Sequence, residues 1–185
     1  MNIDELLNKV KTDDLSDIEI VRAMQIAKKT RNAELAYELA CLTTGQRRKE
    51  MEQVVLASKD LKFGYLYARD IPGADQKAFE KMILKQKNAE YAYEYACDVP
   101  GANVKDFEKI VINSNDPNLA YVFARDIQNA DIKTLENIIV NQATSPELIK
   151  KFAEDVEGAD KRKLNLALAR LARAKRFKAE EDMTK

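Results

Sequence analysis

Histidine and tryptophan are absent from this 185-residue sequence, and cysteine, proline and glycine are scarce, at 2, 4 and 5 residues. Histidine is the commonest general base and zinc ligand, so its absence removes most hydrolytic and zinc sites from consideration. Cys41 and Cys97 occupy one position of an internal repeat two copies apart, which exceeds disulfide reach if neighbouring helices pack about 9 Å apart. We expect free thiols with buried or half-buried side chains, and neither a metal nor a cofactor.

Long apolar runs and an excess of either charge are also missing. No uncharged stretch approaches the roughly 20 apolar residues that a membrane span needs, and residues 1–10 are too acidic for a signal peptide. The 31 basic and 31 acidic side chains cancel, so net charge does not attract the molecule to nucleic acid or a membrane. No P-loop, dinucleotide-binding glycine motif or Ser/His or Cys/His pair occurs. We therefore expect a cytoplasmic protein with no membrane partner that is not an enzyme.

A nine-residue motif occurs four times. It reads YARDIPGAD at 67–75, YACDVPGAN at 95–103, FARDIQNAD at 123–131 and FAEDVEGAD at 152–160. Side chains that cap helix N-termini recur before a first helix, A, at Asn32, Asp60, Asn88, Asp116 and Ser145, and before a second, B, at Asp75, Asn103, Asp131 and Asp160. Between A and B, Pro-Gly or an equivalent predicts a tight turn with a positive φ angle. The nine-residue motif therefore predicts the end of helix A, a turn and the start of helix B.

Apolar residues in both helices have helical spacing, and short hairpins cannot bury such faces alone. The sequence therefore predicts an all-α fold, a right-handed α-α solenoid of about five helical hairpins, as one domain over residues 1–185. Residues 1–31 form degenerate N-terminal capping helices, in which Ser16 and Glu19 have the spacing of a capping box. Residues 32–160 hold the repeats. Residues 161–185 form a long basic helix that frays beyond about Lys178.

The motif A-x-D-[IV]-x-[GN]-A-[DN], read from these copies, resembles the short two-helix solenoid repeats of about 28 residues found in uncharacterised bacterial and phage proteins. They are distantly similar to tetratricopeptide and HEAT repeats, but the tetratricopeptide consensus is absent. The resemblance covers roughly residues 32–170. It implies an α-solenoid that serves as a binding scaffold and, through the phage relatives, an inhibitor or adaptor that acts on a host complex such as a defence system or the transcription machinery.

Two side-chain columns of helix A are candidates for protein binding. The first contains Tyr37, Tyr65, Tyr93 and Tyr121. The second, one turn further on, includes Arg69 and Arg125. Exposed tyrosines beside guanidinium groups would suit a protein partner along the concave face of a solenoid. The alternative, which we favour slightly, is that neighbouring A helices bury the tyrosines.

Two further columns carry acids. Asp70, Asp98, Asp126 and Asp155 recur at the end of helix A, where they oppose the helix dipole. We expect them to brace the structure by binding turn amides or an arginine of the adjacent copy. In helix B, Lys77, Lys105, Lys133 and Arg162 are accompanied by Glu80, Glu108 and Glu136 three residues after the lysines. We interpret these opposite charges as a solvated helix face.

Charge is unevenly distributed between the two ends of the sequence. Residues 1–20 are rich in acids, at Asp4, Glu5, Asp13, Asp14, Asp17 and Glu19. Residues 161–179 contain no acid and include Arg170, Arg173, Lys175 and Arg176. This asymmetry leaves three alternatives open: a solvated cap over the last repeat, head-to-tail self-association, or docking of the basic helix on nucleic acid or an acidic protein. A non-catalytic protein-binding scaffold is the leading interpretation, and nucleic-acid binding through the basic helix is the alternative.

Overall fold

The computed structural model describes residues 3–12 and 14–183, with side chains placed through residue 177. Twelve α-helices and no β-strand occur in these residues. The all-α prediction is therefore confirmed. The chain divides into two compact units, Met1–Asn103 and Val104–Lys185.

The first unit contains seven helices. They are α1 Ile3–Lys11, α2 Asp17–Thr30, α3 Ala33–Leu42, α4 Gly45–Ser58, α5 Leu61–Asp70, α6 Gln76–Gln86 and α7 Ala89–Asp98. Helices α3, α5 and α7 are the A helices of the repeat, and α5 contacts both of the others. The B helices α2, α4 and α6 make the corresponding contacts, since α4 packs against α2 and α6. Within this unit, each hairpin therefore packs on the one before it, A against A and B against B.

The second unit contains five helices. They are α8 Val104–Ser114, α9 Pro117–Asp126, α10 Ile132–Gln142, α11 Pro146–Asp155 and α12 Lys161–Met183. The A helices α9 and α11 contact each other, and α10 contacts the B helices α8 and α12. Helix α12 packs against the rest of the second unit through the buried side chains of Leu164 and Ala167. The α12 side chains from 172 to 177 are exposed. Helix α12 continues past the predicted fraying point near Lys178.

The capping residues occupy the predicted positions. All five predicted A-helix caps accept a hydrogen bond from a backbone amide of the first turn, as the Asn32 side chain does from the Leu35 amide at 2.8 Å. Proline follows the cap in α9 and α11, where the missing amide hydrogen costs nothing. Ser16 and Glu19 form the predicted capping box of α2. Local sequence therefore determines where these helices begin.

Two kinds of turn connect the helices. In each copy of the nine-residue motif, the turn after helix A contains one residue with the predicted positive φ angle, which is Gly73, Gly101, Asn129 or Gly158. The carbonyl of Ile71 accepts from the amide of Ala74 at 3.2 Å, and the other three copies have the same bond. The turn after helix B was not predicted: it has a left-handed residue, which is Arg31, Lys59, Lys87 or Asn115, directly before the cap of the next helix.

Each unit has its own buried core. One position of the A helices is buried completely, at Leu39, Tyr67 and Tyr95 in the first unit and at Phe123 and Phe152 in the second. Phe79, Ile83, Phe107, Val111, Leu135 and Ile139 of the B helices are equally buried. Small residues of the A helices allow close packing, and at Gly64 an added Cβ would clash with the Cε of Met82.

Candidate protein-binding surface

The tyrosines of the column are buried or half-buried. Tyr65 and Tyr121 are 6% and 8% exposed, and Tyr37 and Tyr93 are half-buried. This placement matches the interpretation that we favoured slightly, in which flanking helices cover the rings. The aromatic surface that a partner could reach is therefore small, and the binding role of the tyrosines stays a prediction.

A hydrogen-bonded network joins the A helices of the first unit. The Tyr37 hydroxyl donates to Asp70 at 2.9 Å, and Arg69 holds the same carboxylate through Nε at 2.6 Å and Nη2 at 2.9 Å. Arg69 Nη1 donates to the Tyr65 hydroxyl at 2.9 Å, and that hydroxyl donates to Asp98. The network runs from α3 through α5 to α7. It gives a structural role to the tyrosines of α3 and α5 and to the aspartates of α5 and α7.

The second unit has an equivalent arrangement on α9 and α11. The Arg125 guanidinium lies 5.2 Å from the centre of the Tyr121 ring and binds Asp126 at 2.6 and 2.7 Å. The Tyr121 hydroxyl donates to Asp155 at 2.5 Å. The aspartates therefore brace the structure as predicted, but mainly by accepting from a tyrosine one hairpin earlier. We also predicted a contact with an arginine of the adjacent copy. Asp98 has one, because its carboxylate lies 4.0 Å from Arg69 Nη1.

These contacts shift the pKa values of the groups involved. Burial and the hydrogen bond to Asp98 raise the pKa of Tyr65 to about 12. The hydrogen bond from Arg69 lowers the pKa of Asp70, and the bond from Tyr37 acts in the same direction. Tyr65 therefore stays neutral and Asp70 stays charged near neutral pH, so the network persists across the physiological range.

A cleft of about 550 Å³ lies beside the turn between α9 and α10. Its charged residues are Arg125, Asp126, Asp155 and Glu157. Arg125 is already paired with Asp126, and Asp155 already accepts from Tyr121. The cleft therefore offers paired charges that support the tyrosine network.

The outward side of α7 carries a ridge of acids. Glu90 and Asp98 are exposed and Glu94 is half-buried, and helical spacing places all three on one side. Burial, followed by the charges of Asp98 and Glu90, raises the pKa of Glu94. Neither Glu90 nor Glu94 has a hydrogen bond or ion pair within residues 3–12 and 14–183. Sequence reasoning missed this ridge, although the four-residue spacing of its acids was visible.

The cysteines do not have the predicted burial. Cys41 and Cys97 are both exposed, and neither forms a disulfide. The prediction of buried or half-buried thiols was wrong because their position in helix A lies on the outward side, in the column that also contains Arg69 and Arg125. The predicted absence of a disulfide between them is confirmed.

The glutamates of helix B are not part of a solvated face, and that interpretation was wrong. Glu80 accepts from the backbone amide of Asn103 at 2.9 Å, and Glu108 accepts from that of Asp131 at 2.6 Å. Glu52 and Glu136 make the same bond to Asp75 and Asp160. Within its unit, each glutamate thus binds the backbone at the end of the turn that follows the next A helix. The 28-residue spacing of Glu52, Glu80, Glu108 and Glu136 was the available signal.

The basic residues proposed for the alternative function lie on α12. Arg170, Arg173, Lys175 and Arg176 are all exposed. Leu166 and Phe177 on the same helix are 54% and 68% exposed, which sequence reasoning did not identify. Their positions 166 and 177, with 170 and 173 between them, follow one line along a helix, and that spacing was the missed signal.

Two of the six acidic residues near the start of the sequence form ion pairs within the first unit. Glu19 forms an ion pair with Lys9 Nζ at 2.9 Å, and Asp17 forms one with Arg47 at 3.0 Å. The hydrogen bond from Lys9, with bonds from Ser16, lowers the pKa of Glu19 to about 2. Asp13 lies outside the described residues. The negative charges of Asp17 and Glu19 are therefore already compensated.

Within the part of the chain that the structure describes, no group of histidine, cysteine and acidic side chains has the arrangement of a metal site. No helix in that part has the length and apolar composition to cross a membrane. Comparison with protein-family models, curated proteins and solved structures finds no match. The surfaces described above are therefore the basis for a functional proposal.

Proposed function

We propose that this chain is a non-catalytic protein-binding scaffold, built as a right-handed α-solenoid of about five hairpins, with the outward side of its A helices as the binding surface. The observation that carries the proposal is the network from Tyr37 to Asp98, because it fixes three adjacent A helices beneath exposed charged groups. A surface that is already ordered loses less entropy on binding a partner. The tyrosines then support the surface, while Arg69 and the acids of α7 supply contacts.

The chemistry of the unit 1 surface favours a cationic partner segment. Helix α7 contributes Glu90, Glu94 and Asp98 and no basic residue. On α5, half-buried Leu66 and exposed Lys62 lie on the outward side, beside Arg69. A basic amphipathic helix or strand could pair with the acids and cover Leu66. Electrostatic complementarity of this kind directs partner choice more than it adds affinity.

The resemblance to phage repeats suggests a narrower version of the proposal. In that version the chain acts in the cytoplasm as an inhibitor or adaptor of a host complex, such as a defence system or the transcription machinery. A scaffold without catalytic chemistry can inhibit by covering a surface that the host complex needs. The repeat resemblance is the basis for this version.

The experiment compares two charge reversals of equal size on opposite helices. E90K/E94K reverses the acid ridge on α7, and K81E/K85E reverses exposed lysines on the B helix α6. All four side chains lack a hydrogen bond or ion pair among the described residues, so both variants should keep their helicity by circular dichroism. The proposal expects a host partner, quantified by mass spectrometry after affinity capture, to be lost from E90K/E94K and retained by K81E/K85E. Equal retention by the two variants would refute the binding surface.

Nucleic-acid binding through α12 is the second candidate function. The exposed positions of Arg170, Arg173, Lys175 and Arg176 favour it, because unpaired guanidinium groups can bind phosphate. It expects retarded mobility of DNA or RNA in low salt, reduced by R170A/R173A. Unchanged mobility with the intact chain would exclude it.

A further inference from the structure

Helix α12 presents a stripe of mixed apolar and basic side chains that faces away from its packed side. Leu166, Arg170, Arg173 and Phe177 lie at helical positions i, i+4, i+7 and i+11. Leu164 and Ala167, which are buried, lie on the other side of the helix. The stripe extends about 16 Å along the axis at 1.5 Å per residue. Among the described residues, the exposed large hydrophobic side chains are Leu166 and Phe177 on α12 and Ile18 and Val21 on α2.

This mixture favours a protein partner with acidic groups. Phosphate binding explains exposed arginines but not the two apolar side chains in line with them. A membrane-surface helix separates apolar and basic residues onto different faces, whereas this stripe interleaves them. An acidic helix with apolar neighbours would satisfy both features, since helix recognition uses anchors on one helix face at spacings such as i, i+4 and i+7, which Leu166, Arg170 and Arg173 follow.

Helix α7 has the complementary chemistry. Its ridge of Glu90, Glu94 and Asp98 extends about 12 Å, close to the length of the α12 stripe. The ring of half-buried Tyr91 lies beside Tyr65, with ring centres 6.3 Å apart, and adds apolar surface next to the ridge. Among the acids near the start of the sequence, Glu19 and Asp17 are poorer candidates because they are already paired with Lys9 and Arg47.

We propose that the α12 stripe of one molecule docks on the α7 acid ridge of a second copy of this chain. The inference rests on the proposed function, because it names a partner for the same A-helix surface. Arg170 and Arg173 would pair with Glu90 and Glu94, while Leu166 and Phe177 would pack beside them. Two different surfaces meet in this contact, so it either closes reciprocally into a dimer or continues into longer assemblies.

The test is a charge swap followed by sedimentation velocity. The wild-type chain should associate at about 100 μM in low salt and dissociate in high salt, because the Debye length falls from about 30 Å to 3 Å between 0.01 and 1 M salt. R170E/R173E alone and E90K/E94K alone should each weaken association at least about tenfold. An equimolar mixture of the two variants should associate again, because every docking pair then regains opposite charges.

The matched control is K81E/K85E, which changes charge equally on α6 and should associate as the wild type does. A monomeric wild-type chain in low salt would overturn the inference, as would association that persists in R170E/R173E or that the mixture fails to restore. Binding of RNA or DNA by a chain that stays monomeric would assign α12 to nucleic acid instead. Loss of the host partner from E90K/E94K without any self-association would overturn this inference and leave the proposed function standing.

Discussion

Replacing Glu136 should reveal how strongly one hairpin is held to the next within the second unit. Its side chain is 4% exposed and accepts from the Asp160 amide at 2.6 Å and from Lys163 Nζ at 2.8 Å. A hydrogen bond that involves a charged group contributes about 1.5–3 kcal/mol. Lys163 is about one-third exposed and regains water when its partner is removed. We therefore expect Glu136→Ala to cost about 2–3 kcal/mol in the free energy of unfolding.

Two companion variants separate the contributions. Glu136→Gln keeps an oxygen for the Asp160 amide but loses the charge that attracts Lys163, so it should cost about 1–2 kcal/mol. Glu157→Ala removes an exposed glutamate with no hydrogen bond or ion pair among the described residues, and should change stability by less than about 0.5 kcal/mol.

Urea unfolding followed by circular dichroism measures all three variants. If Glu136→Ala and Glu157→Ala have the same free energy of unfolding, the glutamate bond does not hold the hairpins and our reasoning is wrong. A loss that is equal for Glu136→Ala and Glu136→Gln would assign the whole effect to Lys163, and would refute the role of the Asp160 amide.

Three further predictions concern the first unit. Lys87→Gly should raise the free energy of unfolding by about 1 kcal/mol, because Lys87 has a φ of 54°, which glycine adopts without strain. Lys85→Gly, inside α6, should lower it by about as much. Urea unfolding measures both variants. The pKa of Tyr65 is raised from about 10 to about 12, so its contribution to the free energy of unfolding is complete below pH 10 and is lost as the pH rises towards 12. The difference in the free energy of unfolding between the wild type and Tyr65→Phe should therefore shrink across that pH range. Gly64→Ala should cost less stability in a Met82→Ala background than in the wild type, because the added Cβ would clash with Met82 Cε. Additive costs in the double-mutant cycle would contradict this.

The helix starts and the A-to-B turns could be predicted because their chemistry is local. A capping side chain such as Asn32 bonds to an amide three residues away, and a positive φ at Gly73 depends on the residue itself. The buried columns followed from helical periodicity for the same reason. The left-handed Lys59 and Lys87 could not be predicted this way, because lysine does not mark that conformation.

The candidate surface was harder to predict because its pairings are distant in sequence. The tyrosine and aspartate columns were both visible, but the bond from Tyr37 reaches Asp70, 33 residues away. The glutamates of helix B bond backbone amides 23 or 24 residues further on, and a backbone acceptor or donor leaves no trace in a side-chain pattern. The exposure of the cysteines depended on which side of helix A faces outward.

The polar bonds between hairpins have a role that the apolar columns cannot supply. Neighbouring copies present similar apolar residues, so a small slide of one hairpin along the next exchanges one hydrophobic contact for another at little cost. A glutamate that must reach a single amide, such as Glu52 to Asp75 at 2.9 Å, permits one position only. The hydroxyl of Tyr37 imposes a second limit at Asp70, on the A side of the same step. Together the two bonds fix both sides of this hairpin step within the first unit, so the register of the outward groups on α5 follows from buried and half-buried polar contacts.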